Sequence, residues 1–461
     1  MDIVLISPYE LGRQPFALAE TAAWLAEAGH DVRCLDLSLQ RLDADILRDT
    51  ALVAISLGMH TATRIAVEAL PHIREMAPAA RICIFGLYAP MNEALFRSMG
   101  VDYVYGGEVE PDLVELAARL SNGGVYVQSS AVVRRNKVQF RVPDRSGLPE
   151  LTRYAHLRLG DEPNRTVGFV EGSRGCKHLC RHCPVVPVYA GRFRIVPVDV
   201  VMADVRQQVK AGAEHISFGD PDFLNGPTHA LRLARAMHAE FPHMTFDATI
   251  KIEHIINHRD VLPVLKECGC LFVTSAVESV DDAVLAFLDK NHSSEDFNLA
   301  VSILRALDIA IAPTFVPFTP WTTLQGYIDL LERLVSLRLV ESVPPIQLAI
   351  RLLIPAGSYL LRIPGFVDLI DAYDEQLLGY PWRHTNPAVD ALQMDIQRLV
   401  ERAERDDIPR REIFTLAWEL AHKALGQRAP LLPAHLGEVT PHMSEPWYCC
   451  AEPTSQQLQS F

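Results

Sequence analysis

The chain has 461 residues, 49% hydrophobic and 22% charged, long enough for two or three domains with cores of their own. Its net charge of -14, with no compensating basic block, argues against a duplex nucleic acid partner. No run of about 18 consecutive apolar residues occurs, so no membrane span is expected, and the start, MDIVLISP, lacks the basic and apolar regions of a signal peptide.

Without an export signal, the nine cysteines read as reduced thiols of a cytoplasmic protein, available for metals or chemistry. Residues 1–122 alternate apolar strands (DIVLISP, DVRCLDLS, LVAISLG, RICIFGL, YVYGG) with amphipathic helices. The first helix is expected to bury Phe16, Ala19, Ala23 and Ala26 on one face. Such alternation implies a doubly wound parallel sheet that binds ligands at the carboxyl ends of its strands. The loops there carry Ser56, Gly58, Met59 and His60, then Gly86, then Gly106, Gly107 and Glu108. Their glycines either let backbone approach a ligand or simply make tight turns. No G-x-G-x-x-G follows the first strand, which disfavours a dinucleotide.

Residues 123–165 change character: VYVQSSAVVRRNKVQFRVPD suggests a two-stranded hairpin with Arg134, Arg135 and Lys137 at a solvated tip, then a linker. A second alternating series covers residues 166–358, with strands expected at VGFVEG, HISFGD, TFDATIK, LFVTSAV, IAIAPTFVP and IQLAIRLL. Six strand-helix units imply an open barrel with its site at the strands' carboxyl ends. Residues 359–461 read as helical at FVDLIDAYDEQLL, AVDALQMDIQRLVERAERD and REIFTLAWELAHKAL, with an irregular Pro-rich tail. The expected fold is therefore α/β: a doubly wound domain, a partial (β/α)6 barrel and a helical C-terminal region.

EGSRGCKHLCRHCP, after the first barrel strand, spaces Cys176, Cys180 and Cys183 as C-x3-C-x2-C. Soft thiolates select zinc or iron-sulfur clusters. Structural zinc wants a fourth ligand, and Cys268-Gly269-Cys270 is a poor second knuckle, so zinc is disfavoured. The triplet at this place in a partial barrel resembles the radical SAM enzymes. The resemblance implies a [4Fe-4S] cluster on the three cysteines and S-adenosylmethionine chelated to the fourth iron. Reductive cleavage to a 5′-deoxyadenosyl radical follows in that family. His182 departs from its pattern, which has an aromatic residue before the third cysteine.

Other positions follow from the same resemblance. Gly219, Asp220 and Asp222 stand where the family contacts the methionine amine, with a simple Asp-Pro turn as the alternative. Ser275 and Glu278 stand where it contacts ribose or methionine groups. Lys251 and Glu253 are either a mutual salt bridge or active-site groups. Ile354-Pro355-Ala356-Gly357-Ser358 resembles the adenine-contacting turn. A doubly wound domain before such a barrel is similar to the cobalamin-binding domain of the B12-dependent subfamily. That likeness implies cobalamin contacts from Ser56, Gly58, His60, Gly86, Gly106, Gly107 and Glu108, with Met59 and Arg64 also near the ring. There is no D-x-H-x-x-G, so a histidine from that motif beneath the corrin is not implied.

The tail reads EPWYCCAEP, and CCAEP near the end of such a chain resembles the CUAEP/CCAEP-tail group, in some of whose members the position of Cys450 is selenocysteine. Cys449 and Cys450 are read as a reactive pair: a redox disulfide, an extra metal ligand or a covalent hold on substrate. The subfamily implies methyl transfer to an unactivated centre of a small-molecule or peptide substrate, with an electron donor such as flavodoxin or ferredoxin. Other radical outcomes, and a cofactor sensor without turnover, are the alternatives.

Overall fold

The computed structural model describes residues 1–124, 126–406 and 408–445. The first region builds a six-stranded sheet from β1 (Asp2–Ser7), β2 (Asp31–Asp36), β3 (Leu52–Ser56), β4 (Arg81–Phe85), β5 (Tyr103–Gly107) and β6 (Val132–Arg134). Its order is β2-β1-β3-β4-β5-β6, and all pairs are parallel. Near-continuous runs such as Ile3–Ile6 and Leu52–Ile55 are fully buried, as a sheet covered on both faces requires. On the helix Phe16–Glu27 the buried stripe is rotated from expectation: Leu18, Ala19, Ala22 and Leu25 carry the core, and Ala26 is exposed. The larger leucines outbid alanine for the space against the sheet.

The segment read as a hairpin is instead β6, a parallel edge strand paired with β5. Arg134 is not at a solvated tip: it pairs with Asp112. Arg135 donates to the carbonyls of Pro187 and Val188, which belong to the second region. Alternating polarity suits a half-exposed edge as well as a hairpin, so local pattern alone did not separate them.

The second region contains β7 (His156–Arg158), β8 (Arg165–Val170), the small ribbon β9 (Ser173–Gly175) and β10 (Phe193–Ile195), then β11 (His215–Phe218), β12 (Thr245–Thr249), β13 (Cys270–Glu278), β14 (Ala310–Phe315) and β15 (His442–Met443). The main sheet runs β14-β13-β12-β11-β8-β7-β15, with β8 and β11 to β14 parallel and β7 and β15 antiparallel at the edge. The expected sixth strand is reduced to one bridge, Phe318 to Arg351, because Pro344 and Pro345 start a 3-10 turn, Pro345–Leu348. Gln347 Oε1 then accepts the Phe315 N–H at 2.8 Å, standing in for a ladder bond.

Two C-terminal helices form as expected, Pro387–Arg405 and Arg410–Ala424. FVDLIDAYDEQLL does not: only Phe366–Leu369 turns, and the rest forms isolated antiparallel bridges, Ile370 to Trp382 and Asp374 to Gly379. Cys83, Cys268 and Cys270 are buried packing residues, and Cys34 is half-buried. No described helix is long and apolar enough to cross a membrane.

Candidate active site

The carboxyl ends of both parallel sheets face one cavity of about 420 Å³. From the first sheet it receives Glu10 and Arg13 after β1, Ser56, Gly58 and Met59 after β3, Gly86 to Tyr88 after β4, and Gly107, Val109 and Glu110 after β5. From the second it receives the loop with Cys176, Cys180 and Cys183, and residues ending β11, β12, β13 and β14. All three cysteines lie on its lining, none of them in a disulfide. The loop closes on itself through Cys183 N–H to the Cys180 carbonyl at 3.1 Å, and burial pushes the Cys176 thiol pKa up. Three thiols on one short loop fit a three-thiolate cluster site.

Beside them, Glu278 is buried at the end of β13 with φ +69°. Its Oε1 lies 3.0 Å from His182 Nε2 and 3.3 Å from Lys290 Nζ. Burial alone would raise its pKa, but Lys290 and His182 outweigh that and hold it at about 2. The imidazole that replaces the expected aromatic residue is thus an anchor for this carboxylate. Ser275 does not reach the cavity: strand alternation turns it inward, where its hydroxyl donates to the Ile250 carbonyl at 2.7 Å.

Gly219 and Asp220 line the cavity, but Asp220 spends its oxygens on the chain. Oδ2 accepts the Gly172 N–H at 2.8 Å and Oδ1 the Ser173 hydroxyl at 2.5 Å. Burial pushes its pKa up to about 6 against those bonds. Asp222 turns away to His254 and His178. Lys251 faces the cavity and donates to Glu253 Oε2 at 3.3 Å, so the salt bridge and a place on the site are both realised for Lys251. The Ser358 hydroxyl donates to the Arg181 carbonyl at 3.1 Å, tying its turn to the thiol loop.

On the opposite wall, Met59 lines the cavity, whereas His60 is fully buried beside Tyr88 and Arg64 is half-buried, neither on the lining. Gly107 is required by the fold, since with φ +76° a side chain would collide with the Arg134 carbonyl of β6. Gly106 packs against the Pro90 ring, which a Cβ would approach to 2.5 Å. Gly58 differs: a Cβ there would meet nothing within 4 Å, because it faces the cavity. Glu108 points to Arg174 at 3.2 Å, not to the cavity.

Sequence reasoning missed Arg174, the link between the walls. It pairs with Glu20, with Glu108, with Glu110 at 2.7 Å and with Glu171 at 3.1 Å. Four carboxylates share one buried guanidinium, so burial pushes Glu108 up to about 7 and, with Glu108 adjacent, Glu110 up to about 8. The only signal was an arginine at the strand end two residues before Cys176. Cys449 and Cys450 lie outside the described residues.

A model of the radical SAM superfamily matches residues 170–331. The hopanoid C-3 methylase of Methylococcus capsulatus is 22% identical over 326 residues, 67% of this chain and 62% of that protein. The anaerobic magnesium-protoporphyrin IX monomethyl ester cyclase of Synechocystis is 21% identical over 321 residues, 66% of this chain and 64% of that protein. The chain thus spans less than two thirds of these curated relatives. Among solved structures, OxsB, a cobalamin-dependent S-adenosylmethionine radical enzyme seen with aqua-cobalamin and S-adenosylmethionine, superposes with TM-score 0.67 at 14% identity, covering 87% of this chain and 67% of OxsB. TsrM, a radical S-adenosylmethionine methyltransferase from Kitasatospora setae with cobalamin and a [4Fe-4S] cluster, gives 0.56 at 19% identity, covering 73% and 70%. The two-region fold is that of these cobalamin-dependent proteins.

Proposed function

We propose that the chain is a cobalamin-dependent radical SAM enzyme that transfers a methyl group to an unactivated centre of a small-molecule or peptide substrate. The observation that carries this is the shared cavity: three thiols outside any disulfide and the carboxyl end of a doubly wound sheet, open at Gly58, face the same space. When bound, a [4Fe-4S] cluster supplies the electron that cleaves S-adenosylmethionine, and cobalamin supplies the methyl group.

The chain's own residues divide that work. Cys176, Cys180 and Cys183 would hold the cluster. Glu278, kept ionised by Lys290 and His182, gives the cavity an anionic wall that accepts hydroxyl or ammonium protons. Lys251 offers a cation to a carboxylate. Gly58, where a side chain would project into open space, keeps the facing wall open for a flat corrin. A flavodoxin- or ferredoxin-type protein would deliver electrons.

Protein reconstituted without oxygen with iron, sulfide and cobalamin, then reduced and given S-adenosylmethionine, should release both 5′-deoxyadenosine and S-adenosylhomocysteine, the remnant of a donated methyl. Deoxyadenosine without S-adenosylhomocysteine would remove methyl transfer and keep the radical chemistry. Neither product, from protein holding its full iron, would overturn the reading altogether.

A further inference from the structure

Outside the three thiols, His178, Asp222 and His254 bring one potential ligand atom each to within 4.8 Å of one another. They come from three elements: the thiol loop, the turn after β11 and the helix Ile252–Asn257 after β12. Asp222 is fully buried and His254 nearly so, while His178 lines the cavity. His254 Nδ1 lies 2.6 Å from Asp222 Oδ2, and His178 Nε2 lies 3.6 Å from the same oxygen. His254 Nε2 is 3.2 Å from His178 Nε2.

A plain Asp-His-His hydrogen-bond chain would account for the proximity, but the geometry does not support it at its buried end. Asp222 Oδ2 and His254 Nδ1 lack any hydrogen-bond partner among the described residues, each other included, despite their approach. They are close and out of line, as two donors aimed at a common third point are. Ligands bound at about 2.0–2.1 Å to a tetrahedral ion stand roughly 3.4 Å apart, inside the 4.8 Å that bounds one donor atom from each of the three residues.

The surroundings hold the ligands as metal sites do. Asp222 Oδ1 accepts the backbone N–H groups of Leu224 at 3.3 Å and Lys251 at 3.5 Å, which orients the carboxylate and leaves Oδ2 over. His178 Nδ1 faces Glu253 Oε2 at 3.7 Å, and that carboxylate is held by Lys251.

We propose that His178, Asp222 and His254 bind one divalent first-row transition ion, zinc or ferrous iron, separate from any cluster on the thiols. Two imidazoles and a carboxylate are a donor set for such ions, and three protein ligands leave positions for a further ligand. Because His178 sits between Cys176 and Cys180 and lines the cavity, the ion would pin the thiol loop to the ends of two barrel strands. The site does not depend on the radical reading, since its ligands are none of the three cysteines.

The test uses full-length protein reconstituted with ⁵⁷Fe and sulfide, in two arms. In the first, zinc is added and unbound metal removed. Wild type should retain about one zinc per chain beyond its cluster iron. Asp222→Asn and His254→Gln should bind it about tenfold or more weakly while keeping cluster iron and visible absorbance. In the second, excess ferrous iron replaces zinc, and Mössbauer spectra should show a high-spin ferrous site with N/O ligands that vanishes in both variants. His243→Gln, at an exposed histidine outside the triad and its supporting residues, should retain the ion. Wild type holding neither metal beyond its cluster overturns the proposal even if both variants fail to fold. Zinc or ferrous iron retained equally by folded Asp222→Asn and His254→Gln proteins overturns it too.

Discussion

The two walls of the cavity are built from the same kind of element, the carboxyl end of a parallel sheet, yet they offer opposite chemistry. The barrel wall presents side chains that coordinate or carry charge: three thiols, Glu278 with its two cations, and Lys251. The first sheet presents mainly backbone and apolar side chains, notably Gly58, Met59, Gly86, Leu87 and Val109, with Glu10, Arg13 and Glu110 as charged exceptions. The first wall suits groups held by bonds at defined points, the second a broad ligand held by shape. What joins them is polar: the buried Arg174 hub and the half-buried Arg135, which holds the helix Val185–Tyr189 after the thiol loop. Arg145 adds to this seam from the linker, bonding Asp204 with two nitrogens at 2.7 and 2.8 Å and Gln14 at 2.7 Å. The same sheet end can therefore serve coordination or shape, depending on which residues its loops carry.

That contrast can be broken most severely on the coordinating side. Changing Cys176, Cys180 or Cys183 to alanine should abolish cluster iron and reduce deoxyadenosine release to background, with corrinoid binding preserved. Iron analysis, product chromatography and corrinoid absorbance check this.

Breaking the seam comes next. Arg174→Ala leaves the buried Glu20, Glu108 and Glu110 and the half-buried Glu171 without their cation and should cost about 3–5 kcal/mol in denaturant unfolding. The hub also has a pH signature. Glu110 is raised from 4.5 to about 8 in the folded protein, so between those values the folded state holds a proton that the unfolded state has lost. Stability should therefore fall as pH rises through that window. Glu110→Gln should flatten the slope by up to about 1.4 kcal/mol per pH unit.

Glu278→Gln sharpens the charged side. It leaves Lys290 buried without its counter-ion and should destabilise by about 3 kcal/mol at neutral pH. Because the carboxylate is depressed to about 2, its contribution is complete above pH 4.5 and is lost as pH falls toward 2. Acid unfolding of wild type and variant should thus converge.

The smallest effect on stability is expected on the shape wall. Gly58→Val projects into open space and should change stability by no more than about 1 kcal/mol, yet weaken corrinoid retention. Gly107→Ala, by contrast, should destabilise without a specific effect on corrinoid, because its Cβ meets backbone.

Much of the fold was legible because strand-helix alternation and the cysteine spacing are local properties of the chain. The strands β1–β5, the parallel barrel strands, the thiol triplet and the placement of Glu278 and Lys251 near it all follow from such patterns. The failures are equally local in origin. Residues 132–134 carry a polarity that fits a hairpin or an edge strand, and only their pairing with β5 distinguishes the two. Residues 346–353 have strand-like composition, but two prolines before them set a turn.

The sequence by itself determined the donor set of the thiol loop and the sheet ends on which a site could form, since both depend on residues within a few positions of one another. Tertiary structure alone decided that both sheets open on one cavity, that Arg174 gathers four glutamates, and that Asp222 leaves the cavity to meet His178 and His254. Those are contacts between residues tens to more than a hundred positions apart. Their geometry depends on how the two sheets pack, which no local periodicity encodes.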